Sequence, residues 1–300
     1  MGFASQINHL LKDSGMLDID TDYKRGEHTK ELRADGVTNW HDVAQQTHIV
    51  ERATLEKYKT TWKDLGNFAK QNGYCTKLTK ISADCVKDYL TTKLEAGRSL
   101  NTMIGYLTAI NKLDAVITAA TGAHPGFSGA GDTMRQEIKE TAPDMATETR
   151  SFNDPRAVIG AIEDPRCKLA AEIQLATGLR VHDVSYIRLN ADGSLYINSK
   201  AGRRFEHYQI PQQLSNKLRE INGGPGNFNL VGYKHYIYEI KKACNKVGEH
   251  YTGSHGFRHN YAKEAYARYL AAGLGPEEAK GRVSEDLFHH RLEIIEVYLR

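Results

Sequence analysis

Cysteine is scarce and scattered. The four present, Cys75, Cys85, Cys167 and Cys244, form no C-x-x-C pair. Neither a cysteine-based zinc site nor a disulfide framework is therefore expected, and a reducing cytosol is. Long apolar runs are missing too. No stretch approaches the roughly 20 apolar residues of a membrane span, and the opening M-G-F-A-S-Q-I-N-H-L-L-K lacks the layout of a secretory signal. The expectation is a soluble, cytoplasmic protein. There is no internal repeat, no low-complexity tract and little net charge, with 40 Lys and Arg against 37 Asp and Glu.

What is present is an ordinary globular composition, 40% hydrophobic and 26% charged over 300 residues. That is enough chain for two domains, each with a real core. The charge is unevenly placed. Residues 1–50 carry 5 basic against 8 acidic side chains, residues 51–100 carry 10 against 6, and residues 201–250 carry 8 against 4. Two blocks with a surplus of four positive charges each suit a protein that meets a polyanion with two surfaces. An uneven but merely solvated surface would look the same.

From Thr54 to Ile117 the pattern is helical. Leu55, Tyr58, Trp62, Leu65 and Phe68 recur at three- and four-residue steps, the mark of an amphipathic helix. A second helix follows Ser82 and a third begins near Ser99 or Asn101, both with side chains suited to an N-cap. The cluster T-G-A-H-P-G-F-S-G-A-G-D is expected to end this all-helical run. A new helix should open at Asp154-Pro155. Beyond it the pattern is mixed, with helices around two short strands, Leu195 to Asn198 and Phe205 to Ile210, joined at a turn containing Gly202. The fold class expected is α+β, mostly helical: an all-helical domain followed by a mixed domain with a small antiparallel sheet. Residues 1–45 are polar and acidic, with one amphipathic piece, and are expected to be an extra element or a partly ordered tail.

Four short segments in the second half carry possible chemistry. In A-T-G-L-R-V-H-D-V a helix should end at Gly178, with Arg180 and Asp183 just beyond it; a capping glycine and a surface arginine explain this as well. Lys200 lies on the predicted hairpin turn with Arg203 and Arg204, as in a loop entering a nucleic-acid groove. S-H-G-F-R-H places His255 and Arg258 three residues apart, able to face one way, with His259 a third ring. The last segment, L-F-H-H-R-L-E-I-I-E-V-Y-L-R, holds His289 and, nine residues on, Tyr298. Two adjacent histidines without a third ligand do not make a zinc site. Each segment alone has an ordinary explanation; their order does not. Two arginines can clamp the non-bridging oxygens of a phosphodiester while histidines add donors. That cationic setting is what a tyrosine nucleophile needs at neutral pH, and a lysine can protonate the departing oxygen. The set suits phosphoryl transfer without a metal.

In order and spacing, residues 45 to 300 resemble the tyrosine recombinase (phage integrase) family. T-G-L-R-V-H-D resembles its first arginine box, H-G-F-R-H its H-x-L-R-H box and L-F-H its L-G-H box. The resemblance implies catalytic roles for Arg180, Lys200, His255, Arg258 and His289, with Tyr298 the nucleophile, Asp183 a supporting acid and His290 a bystander. It implies residues 46–145 as a helical core-binding domain, residues 150–300 as the catalytic domain, and a C-shaped clamp on double-stranded DNA. It implies site-specific cutting and rejoining through a 3′-phosphotyrosyl intermediate with no cofactor, metal or ATP. The partners implied are double-stranded DNA and a homotetramer on paired sites, with the free protein expected as a monomer and the bound protein on the nucleoid. A DNA-binding relative that does not cut, or a relaxing enzyme of the type IB topoisomerase kind, would share the same boxes. Expected DNA contacts are Ser99, Asn101 and Thr102 on bases, with Lys57, Lys59, Arg203 and Arg204 on phosphates. Three features depart from the pattern: Phe288 stands where the box has glycine, the Arg258–His289 interval is long around A-A-G-L-G-P-E-E-A-K-G, and the chain stops two residues after Tyr298. Family members usually carry a further tail or helix there that docks on a neighbouring subunit.

Overall fold

The computed structural model describes residues 1–19, 23–143, 149–199, 203–289 and 292–300, without the side chains at positions 40, 41, 199, 203 and 293. The chain divides into two compact units, Met1–Met145 and Ala146–Arg300.

The first unit is helical throughout its described residues: α1 (Phe3–Ser14), α2 (Arg25–Ala34), α3 (Trp40–Gln46), α4 (Arg52–Gln71), α5 (Ala83–Glu95), α6 (Leu100–Thr121) and α7 (Phe127–Thr141). The hydroxyl of Ser82 accepts from the Cys85 N–H, and that of Ser99 from the Thr102 N–H, so both expected caps start their helices by satisfying otherwise unpartnered amides. Helix α6 is buried along much of its length, with Met103, Leu107, Ile110, Leu113 and Ile117 in the core. Trp62 of α4 is fully buried against it, and its indole N–H donates to the Ala109 carbonyl at 2.6 Å. Residues 1–45 supply α1, whose Ile7, Leu10 and Leu11 belong to this same core. The helical run does not end at the glycine cluster as expected from sequence. F-S-G-A-G-D forms the opening turns of α7, because Gly131 lets α7 approach α6: a Cβ there would lie 3.1 Å from Asn111 Oδ1 and 3.4 Å from a Leu107 methyl.

The second unit runs α8 (Pro155–Ala161), α9 (Pro165–Thr177), α10 (Val181–Ser185), β1 (Tyr186–Leu189), β2 (Leu195–Ser199), β3 (Arg203–Tyr208), α11 (Gln212–Asn222), β4 (Gly226–Asn229), α12 (Tyr233–Val247), α13 (His255–Ala271), α14 (Pro276–Asp286) and α15 (Leu292–Leu299). Its four strands form an antiparallel sheet in the order β3-β2-β1-β4, with Ile197 opposite Phe205 and Ile187 opposite Phe228. The outer strand β4 and the inner strand β1 went unnoticed in the sequence because each has only four residues, too few for alternation to register. One core gathers the sheet, α9 and α12 around Ile173, Leu179, Ile187, Tyr236 and Phe257; a second joins α13, α14 and α15 around Tyr261, Val283, Leu287, Ile295 and Tyr298.

Candidate active site

The turn after α9 sets the first arginine. Gly178 ends the helix at φ +67, and a Cβ there would lie 2.5 Å from the Tyr261 ring and 2.6 Å from a Leu287 methyl. Both the backbone and the space therefore require glycine. The buried Gln174 amide donates to the Leu179 carbonyl and accepts from the Tyr236 hydroxyl at 2.7 Å, which fixes the chain just before Arg180. The Arg180 N–H then donates to Asp183 Oδ2 at 3.2 Å. Asp183 is thus the reciprocal cap of α10 and is buried; burial pushes its carboxyl above the usual carboxylate range.

Arg258, in the first turn of α13, is fully buried. Two of its donors serve backbone carbonyls, Nη1 that of Gly178 and Nη2 that of Leu287 at 2.6 Å. The third, Nε, donates to the Tyr298 hydroxyl at 3.2 Å. A guanidinium so deep in the fold remains charged, and burial lowers its pKa in the expected direction. Tyr298 is on the inner face of α15 with Ile295, while Leu292 at the start of that helix is 45% exposed. His289 Nε2 lies 3.4 Å from the Tyr298 oxygen and 3.5 Å from Arg180 Nη2. The turn carrying His289 is held by its own N–H donating to the Ser284 carbonyl at 2.8 Å and by the Ser284 hydroxyl donating back at 3.2 Å. Arg180, Arg258, His289 and Tyr298, spread over 119 residues of sequence, thus form one connected set.

His255 opens α13 and is half-buried; desolvation and the neighbouring Arg258, Arg150 and Arg180 push its imidazole down to about 4. Arg150, Tyr233, Ser254 and His255 line a recess of about 260 Å³ beside it. The sequence reading passed over Arg150, which stands in no motif. His259 was given no role either, yet its ring lies 4.5 Å from that of Tyr298 at 41°, and it is 3% exposed. Burial, first of all, and Arg150 hold its pKa down to about 4. Tyr261 and Tyr269, both donating to Asp286 at 2.9 Å, anchor the end of α14 on α13, and no motif announced them.

Lys200 and His290 lie outside the described residues, as does the side chain of Arg203; its backbone begins β3 and Arg204, opposite Asn198, is exposed. In the first unit, Lys57, Asn101 and Thr102 line one groove of about 780 Å³ between α4 and α6. Ser99 and Thr102 share a hydroxyl–hydroxyl bond at 3.0 Å, and Lys59 is turned toward Glu56 at 3.8 Å. Among the described residues one group has metal-ligand chemistry, Asp164, Cys167 and His235. Its carboxylate already caps α9, accepting from the Arg166 and Cys167 N–H groups, and the buried Cys167 thiol is pushed up to about 12.

The Tn1549 transposon integrase, in its complex with transposon right end DNA, superimposes with a TM-score of 0.52 over 91% of this chain and 93% of that one, at 14% identity. Its complex with circular intermediate DNA gives 0.51 over 92% and 94%, at 16% identity. The chain has the tyrosine recombinase fold. No protein-family model and no curated protein matches the sequence, so the likeness is one of fold at low identity. In this recombinase fold the one non-glycine residue among those described with positive φ is Phe288, at +55°, next to His289. A bulky residue in that region costs about 1–2 kcal/mol. Its ring packs 4.5 Å from Phe205 and 5.7 Å from Tyr208 on β3.

Proposed function

We propose that this protein is a site-specific DNA recombinase whose Tyr298 attacks a DNA phosphodiester. The observation that carries the reading is the Tyr298 hydroxyl, 3.2 Å from Arg258 Nε and 3.4 Å from His289 Nε2, with Arg180 Nη2 3.5 Å from that same imidazole nitrogen. A guanidinium only donates, so the His289 nitrogen facing Arg180 is the acceptor, and its one lone pair can take either the Arg180 N–H or the phenol O–H. Arg258 donates to the phenol oxygen and favours its developing negative charge. The Arg180 guanidinium meets the non-bridging oxygens as charge builds there, and so does His255, whose imidazole, held down to about 4, is neutral at pH 7 and donates from one ring nitrogen. Two of Arg258's donors are spent on backbone carbonyls, so in this reading it is as much a brace as a phosphate clamp.

Tyrosine attack gives a 3′-phosphotyrosyl link and a free 5′-oxygen, which Lys200 protonates. Attack by a 5′-hydroxyl of a second duplex reverses the step. The phosphotyrosyl bond retains the energy of the broken phosphodiester, so the exchange needs no nucleotide hydrolysis. The first unit binds duplex DNA through the groove of Lys57, Asn101 and Thr102, and four subunits act on two paired sites. Support from outside the chain is the shared fold with an integrase solved on transposon DNA.

Covalent trapping tests this. Wild type and Tyr298→Phe are incubated with fragmented, nicked genomic DNA in EDTA, denatured, and the DNA retained on protein is sequenced. Tyr298-dependent adducts at one recurring sequence are expected. Adducts without sequence preference would indicate a relaxing topoisomerase. DNA binding without any adduct would indicate a non-cutting DNA-binding relative.

A further inference from the structure

The turn Leu287–His289 is where the fold asks most of its backbone and where the sequence complies least. At φ +55 the position of Phe288 favours glycine, yet it holds an aromatic ring that is 9% exposed. An observed outlier of this kind, beside functional groups, is a reason to look for a role. The residue before it presents the carbonyl that accepts from Arg258 Nη2, and the residue after it is the histidine facing Tyr298. The ring leaves the turn and docks on β3, tilted 30° to Phe205 and edge-on to Tyr208. Tyr208 is itself fixed, its hydroxyl donating to the Thr177 carbonyl one residue before Gly178. Phe205 is held opposite Ile197 in the sheet.

We propose that Phe288 is a positioning residue that pins the Leu287–His289 turn to the sheet, so that Arg258 and His289 are held in register with Tyr298. Through Tyr208 and Thr177 the same contact ties the turn to the Gly178 corner, whose carbonyl takes the other Arg258 donor. Glycine would suit the backbone and lose the contact with β3; phenylalanine accepts an unfavourable φ and gains a rigid reference surface. Aromatic contacts of this geometry are directional, and misplacement of a reacting group by about 1 Å can cost 10²-fold in rate.

The catalytic consequence rests on the recombinase reading above; the pinning does not, and the experiment separates them. Amide hydrogen exchange is measured first, on wild type, Phe288→Gly, Phe288→Tyr and Phe205→Ala. The His289 amide should exchange at least about tenfold faster in Phe288→Gly and Phe205→Ala, with the interior of α14 unchanged and Phe288→Tyr close to wild type. Unchanged exchange at His289 overturns the proposal whatever the protein does to DNA. Adduct formation at saturating DNA is measured next. Phe288→Gly should be slower by about 10- to 100-fold with unaltered DNA affinity and a melting temperature near wild type, Phe288→Tyr should restore the rate, and combining Phe205→Ala with Phe288→Gly should add little. A full rate in Phe288→Gly, or a loss that merely follows its stability, refutes the catalytic consequence. Absence of adducts from wild type sinks the recombinase reading instead, and the exchange result still decides whether Phe288 holds the turn.

Discussion

Replacing Arg258 by lysine keeps the positive charge and removes the fork, so it separates what the charge does from what the geometry does. The guanidinium is fully buried and donates in three directions, to the Gly178 carbonyl, the Leu287 carbonyl and the Tyr298 hydroxyl. A lysine nitrogen is a single point on a flexible stem and can serve one of the two carbonyls at best. Each buried acceptor left without a partner costs about 1–3 kcal/mol. Arg258→Lys should therefore lose about 1–3 kcal/mol and Arg258→Ala, which abandons both carbonyls, about twice that. For a unit of this size the first figure corresponds to a fall in melting temperature of roughly 2–12 °C. Thermal unfolding by circular dichroism reads that loss, and denaturing gels of trapped adducts read the rate, expected to fall by about 10²–10³ in both variants. A lysine variant with the melting temperature and cleavage rate of wild type would refute the bracing role of the fork. Equal stability of the lysine and alanine variants would show that lysine rescues neither carbonyl.

Three further expectations follow from the same geometry. Gly178→Ala forces a side chain into positive φ, at about 1–2 kcal/mol, and into the Tyr261 and Leu287 side chains 2.5 and 2.6 Å away, at about 1–3 kcal/mol more; a melting temperature within one or two degrees of wild type would contradict that packing. His255 and His259 both have pKa values of about 4 when folded against about 6.5 unfolded, so below pH 6.5 the unfolded chain takes up protons that the folded rings refuse. Stability should be complete above about pH 6.5 and fall as pH approaches 4, by up to about 3 kcal/mol per ring, and His259→Gln should flatten the urea-midpoint profile over that window. Lys57→Ala should weaken binding to all duplexes alike and reduce the slope of log affinity against log salt by about one, whereas Asn101→Ala should weaken binding unequally across sequences; an unchanged slope in the lysine variant removes Lys57 from the phosphate contacts.

The sequence alone determined what is local or periodic. Helix α4 follows from the spacing of Leu55, Trp62 and Leu65, the starts of α5 and α6 from the caps Ser82 and Ser99, and the end of α9 from Gly178, because caps and amphipathic faces are written within a few residues of where they act. The three boxes around Arg180, Arg258 and His289 could be picked out for the same reason: each is a short run at a tight turn or a helix start beside a charged group. Tertiary structure decided the rest. That Arg258 spends two donors on the backbone depends on where the carbonyls of Gly178 and Leu287 lie, 80 and 29 residues away along the chain. That F-S-G-A-G-D continues as helix depends on how closely α7 meets α6, a contact no local pattern encodes. The same holds for the His259 ring against Tyr298, for Tyr261 and Tyr269 sharing Asp286, and for the Phe288 ring docking on Phe205 and Tyr208. Each is a long-range contact whose energy exists only once distant segments have packed, so a single chain read in order has no signal for it.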